Sequence, residues 1–99
     1  MKISQALKTI RKAKKLKQVY VCLKAGISQT YISQIESGKK VPSLMVLQKI
    51  AMAYELPLPV LLWFSLSDED IPENKKRLCR DLKPTIDQII KGIFLIDAQ

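Results

Sequence analysis

Apolar side chains return along this chain at three- and four-residue intervals, the spacing of a helix that buries one face. Ile3, Leu7 and Ile10, with Ala6 and Ala13 beside them, predict a helix over 3–15, and Lys8, Lys12, Lys14 and Lys15 take its other faces. Residues 16–25 read both ways, because Val19-Tyr20-Val21-Cys22-Leu23 would pass for a buried strand by propensity alone. Gly26 decides for a helix, being able to take φ > 0 just after the segment. Ser28 is a good N-cap for the next helix, about 29–37, which sets Ile32 and Ile35 on one side and ends at Gly38. Lys39-Lys40-Val41-Pro42 reads as a loop. Ser43 caps a helix over about 44–54 with Leu44, Leu47, Ile50, Ala51 and Tyr54 as its apolar positions.

After a break at Leu56-Pro57-Leu58-Pro59, residues 60–66 are apolar on almost every side and must be covered on more than one face. Ser67-Asp68-Glu69-Asp70 reads as an acidic linker closing the compact unit. Asp70-Ile71-Pro72-Glu73 reads as a capping box with Pro in the first turn, opening a helix near 71–82 that Pro84 kinks or restarts. The last stretch carries an amphipathic stripe of Ile86, Ile89, Ile90, Ile93 and Phe94. No internal repeat or low-complexity tract interrupts the pattern.

Composition narrows the function. The 99 residues make one domain with a short appendage: 1–66 as the compact unit and 67–99 as a helical extension. With 47% hydrophobic and 26% charged residues the chain is globular. It has no histidine, hence neither the commonest general base nor the commonest metal ligand. Cys22 and Cys79 form no zinc pattern, and Cys22 suits a small packing position. No catalytic constellation is visible, so an enzyme is not expected, and no cofactor or metal is named. No apolar run reaches the roughly 18 residues a membrane helix needs, and no signal-peptide core opens the chain. The expectation is a cytoplasmic protein with reduced thiols.

Charge is distributed unevenly. Residues 1–49 hold ten Lys and one Arg against Glu36 alone, a net +10, while residues 50–99 carry −2. A field of this kind suits a polyanion, although a solvated basic surface kept for solubility would look the same. Within that half, residues 18–37 have the frame of a helix-turn-helix: small Cys22 and Ala25 where two short helices touch, Gly26 in the turn, and apolar Val21, Ile27, Ile32 and Ile35 at the packed positions.

These residues resemble the phage Cro/repressor (Xre) family of DNA-binding regulators. The likeness spans residues 4–66 and is carried by Leu16-Lys17-Gln18, Gly26-Ile27-Ser28-Gln29, the run Tyr31-Ile32-Ser33-Gln34-Ile35-Glu36-Ser37-Gly38-Lys39, and Pro42-Ser43-Leu44. It implies an all-α fold, a five-helix lambda-repressor-like DNA-binding domain, here with a C-terminal helical extension. It implies that Gln18 opens the second helix against a DNA phosphate by side chain and backbone N–H. The helix that follows enters the major groove, with Gln29, Thr30, Ser33 and Gln34 facing bases. Tyr31 is either a packing or backbone-contact residue or a base reader. Lys39, Lys40 and Ser43 match backbone-contacting positions, and Arg11 pairs with Glu36 to tie the first helix to the third. Where the family has a Thr or Ser cap before the Gln, this chain has Lys17, which cannot cap; Val19 and Tyr20 stand where acids are common.

The function implied is sequence-specific binding of double-stranded DNA, most simply as a repressor, by a homodimer that sets two recognition helices about 34 Å apart on a palindromic operator. Dimer contacts are expected from Trp63, Phe64 and the stripe Ile86, Ile89, Ile90, Ile93 and Phe94; the stripe could instead fold back over the chain's own core. The rival is an antitoxin or adaptor that holds a protein partner through residues 67–99, with DNA binding autoregulatory. No membrane partner is expected, and the implied location is the bacterial or phage-infected cytoplasm, at the nucleoid.

Overall fold

A computed structural model describes residues 1–96. Six α-helices follow one another: α1 Ile3–Ala13, α2 Gln18–Ala25, α3 Gln29–Glu36, α4 Leu44–Ala53, α5 Leu58–Ser65 and α6 Lys76–Phe94, with 3₁₀ turns at Asp68–Asp70 and Glu73–Lys75 before the last. No strand occurs among the described residues. The first five helices enclose a core in which Leu7, Ile10, Val21, Ile32, Ile35, Ile50 and Leu61 are shut off from water. Tyr54 is buried with them, and its hydroxyl donates to the Leu7 carbonyl at 3.1 Å, so the one polar atom it brings inside is matched. Burial pushes that phenol well above its ordinary pKa.

Residues 16–25 are helical from Gln18 onward. Val21, Cys22 and Ala25 face the core at the i, i+1, i+4 spacing of one helix face, a pattern a strand could not satisfy. Gly26 closes α2 at φ +70 and the Ile27 N–H bonds the Cys22 carbonyl at 3.1 Å.

Helix ends depart from the expected spans where no glycine marks them. α1 stops at Ala13 and not at 15, because Lys15 takes the left-handed conformation (φ +58) and the Leu16 N–H returns to the Arg11 carbonyl at 3.0 Å. α4 ends in the same way through Glu55 (φ +57), with the Leu56 N–H on the Ala51 carbonyl. In each case the next residue, half-buried Leu16 or buried Leu56, is apolar and anchors the turn against the core. α5 begins at Leu58, ahead of the expected 60, because Pro59 sits in its first turn, where a missing N–H costs nothing.

The C-terminal region differs most. The capping box lies at Ser67 and Asp70, not at Asp70 and Glu73: the Asp70 carboxylate accepts from the Ser67 N–H at 2.9 Å and turns the acidic segment into a 3₁₀ turn. Helix α6 starts at Lys76, not 71, and continues through Pro84 without a restart. Pro84 is exposed, and so is Arg80, whose carbonyl loses its helical partner and can turn to water. Pairing of Lys83 with Asp87 across the same turn, at 3.1 Å, helps hold the helix together. Arg80 closes a two-pronged pair with Asp68 at 2.9 and 2.7 Å, which holds that carboxyl below its usual range and ties the turn to α6.

Candidate nucleic-acid interface

The α2–α3 corner is built by short-range devices. Gly26 supplies the reversal; Ser28 then caps α3, its hydroxyl accepting from the Tyr31 N–H at 3.1 Å. Ile32 and Ile35 anchor α3 inward. The opposite face is left to water: Gln29, Thr30 and Ser33 are exposed and Gln34 is half-buried. Tyr31 packs against the edge of the core, so its ring serves as a support for the helix start.

Behind α3 lies a three-residue clamp. Arg11 donates from Nε and Nη2 to Glu36 at 2.7 and 3.0 Å, and its Nη1 reaches the Leu16 carbonyl at 2.8 Å. Gln18 adds its amide nitrogen to Glu36 at 3.1 Å. The Glu36 side chain is only 5% exposed, and this fork is what makes a carboxylate tolerable there; the same bond raises the Arg11 pKa. One ionic knot therefore joins α1, the start of α2 and the end of α3.

The Gln18 side chain is thus turned toward Glu36, and one of its two amide N–H groups is engaged there. Also free at the start of α2 are its first backbone N–H groups, which have no helical partner and no side-chain cap from Lys17. A phosphate at this end would meet those N–H groups and the positive end of the helix dipole.

The loop after α3 is compact. Gly38 takes φ +82, and the N–H groups of Lys39 and Lys40 both return to the Gln34 carbonyl, at 2.9 and 3.2 Å. Their side chains are left exposed just past the end of α3. Ser43 spends its hydroxyl oxygen capping α4, accepting from the Val46 N–H at 3.2 Å. Of the resemblance-derived positions, Gln29, Thr30, Ser33, Gln34, Lys39 and Lys40 share the α3 face and the adjoining loop, whereas Gln18 and Ser43 have structural duties first. Glu36, the lone acid of residues 1–49, is neutralised inside, so the exposed surface of that half is cationic.

The expected dimer residues divide. Trp63 donates to Asp87 at 2.8 Å with Lys83 above its ring at 5.3 Å, and Phe64, Phe94 and Leu95 pack against the core. Those side chains are engaged within the chain. Ile86, Ile89 and Ile93 stay exposed, and the exposed apolar set also includes Leu78, Leu82 and Ile96. All three continue the spacing of the expected stripe, Leu78 and Leu82 ahead of Pro84 and Ile96 just past the end of α6.

Comparison with known proteins decides the family. The helix-turn-helix family model matches residues 7–61, more than half of the chain. The chain belongs to the helix-turn-helix family, in its Cro/repressor (Xre) type. It is 42% identical over 60 residues to the ImmF control region 10 kDa protein of Bacillus phage phi105, covering 61% of this chain and 67% of that one. It is also 30% identical over 99 residues to the immunity repressor protein of the same phage, covering 99% of this chain and 69% of the relative. No solved structure matches. This helix-turn-helix protein is a DNA-binding regulator, all-helical, with α6 as an extension beyond the matched family region. No single helix among its described residues is long and apolar enough to cross a membrane.

Proposed function

We propose that this protein is a transcriptional repressor that binds a palindromic DNA operator as a dimer, each copy laying α3 in the major groove. The observation that carries this reading is the exposed polar face of α3, Gln29, Thr30 and Ser33 with Gln34 at its edge, held in a cationic half of the molecule by the Arg11–Glu36 clamp. Gln can bond adenine at two atoms at once, and Thr can touch a thymine methyl group or bond a base. In this reading the start of α2 and Lys39 and Lys40 hold phosphates, contacts that set register and carry no sequence information. Two copies place two such helices one turn of DNA apart, and occupancy of a promoter-overlapping operator excludes polymerase. The likeness to a phage immunity repressor supports repression over activation. Such a protein acts in the cytoplasm of a bacterium, at the nucleoid.

Selection of bound sequences from random duplexes tests this directly. The expected product is an inverted repeat with half-site centres about 10 base pairs apart. On that site Gln29→Ala and Gln34→Ala should each weaken binding by ~1–3 kcal/mol and relax base preference. A pool that never enriches, or equal losses on selected and random DNA, would overturn the reading.

A further inference from the structure

We infer that α6 forms the contact between copies by packing antiparallel against α6 of a second copy, about a two-fold axis between Ile86 and Ile89. This rests on the dimer reading above and adds its surface and orientation. One side of α6 is used within the chain, through Asp87, Lys83 and Phe94. The other is an apolar strip facing water: Leu78 is 57% exposed, Leu82 50%, Ile86 38%, Ile89 60% and Ile93 64%, with Ile96, 67% exposed, just past the helix end.

Three observations say what covers it. First, from Leu82 to Ile93 the strip advances by steps of four, three and four residues, the spacing with which one helix seats against another along a shared seam. Second, its size fits. The six side chains expose roughly 600 Å², so two copies would bury about 1,200 Å², the lower edge of the range for stable interfaces. Third, charge selects the direction. Residues 75–83 carry Lys75, Lys76, Arg77, Arg80 and Lys83 against Asp81, whereas residues 84–96 carry only Asp87 and Lys91, which cancel. A parallel pair would crowd two basic ends and set exposed Lys75, one heptad before Leu82, against its own copy. An antiparallel pair lays each basic end beside the neutral end of its partner and opposes the two helix dipoles. The contact is then isologous, as a two-fold dimer on a palindrome requires.

The 99-residue chain tests this by sedimentation equilibrium together with disulfide trapping. The wild type should sediment as a dimer. Ile89→Asp with Ile93→Asp should halve the mass while far-UV circular dichroism and Trp63 emission hold, since both side chains already face water. In a Cys79→Ser background, Leu82→Cys combined with Ile93→Cys should form intermolecular disulfides, because the two positions face each other across the axis; Leu82→Cys alone should not. A monomeric wild type removes both the dimer reading and this inference, and a monomer that instead captures another protein through α6 favours the adaptor alternative. A dimer that survives the paired Asp substitutions keeps the dimer but removes α6 from it. Cross-linking by Leu82→Cys alone, or none by the Leu82→Cys, Ile93→Cys pair, overturns the antiparallel arrangement.

Discussion

At the scale of single residues, Glu36 determines more than any exposed side chain of α3. It is a carboxylate shut almost wholly away from water, kept there by two bonds from Arg11 and one from Gln18. Arg11→Ala should therefore cost ~3 kcal/mol in urea unfolding followed by circular dichroism, because it strands a buried charge and does not merely remove a contact. Adding Glu36→Gln to that variant should restore part of the loss, since a neutral amide is cheaper to bury than an unpaired carboxylate. A loss below half a kcal/mol would mean that the clamp is incidental. The Arg11–Glu36 pairing was legible through the family resemblance. The turn of Gln18 toward Glu36 was not, because local sequence says nothing of which neighbour an amide meets eighteen residues away.

At the scale of helices, legibility followed the caps. Gly26, Ser28 and Ser43 declare their ends through residue chemistry, and α2, α3 and α4 begin and close where those residues stand. Lys15 and Glu55 hold left-handed turns that other residues usually leave to glycine, so the ends of α1 and α4 were invisible locally. α6 was misread for a related reason: a proline breaks a helix by default, and only the exposed position of Pro84 and the anchoring of the following turn make it tolerable. Asp87 is that anchor, accepting from Trp63 and from Lys83. Asp87→Ala should weaken α6 docking by ~1.5–3 kcal/mol, the worth of a hydrogen bond to a charged group. Emission of Trp63, the one tryptophan of the sequence, should shift to the red, and amide exchange should quicken in α6 but not in α1–α5. An unchanged spectrum would show that α6 is held by Phe94 and Leu95 instead.

At the scale of the whole molecule, charge is segregated but apolar surface is not: Leu23, Val41, Leu44 and Met45 face water in the N-terminal half, as the α6 strip does in the C-terminal half. The cationic half carries α3. If Lys39 and Lys40 meet phosphates, Lys39→Ala and Lys40→Ala should weaken binding to every duplex alike. Each should also lower the slope of log affinity against log salt by about 0.9. A slope unchanged from the wild type would remove the α3–α4 loop from the DNA surface.

Read without coordinates, the chain already specified an all-helical protein, the α2–α3 corner, the polar face of α3 and the basic half that carries it. Spacing, caps and charge sums depend on neighbours a few positions apart, and those are written in order along the chain. Folding alone decided that Gln18 faces Glu36, that α6 runs unbroken through Pro84, and that Trp63 and Phe94 are spent on the chain's own packing while Ile86, Ile89 and Ile93 are left outside. Each of these depends on which surfaces the first five helices leave open once they have closed on one another. No short window of residues holds that information.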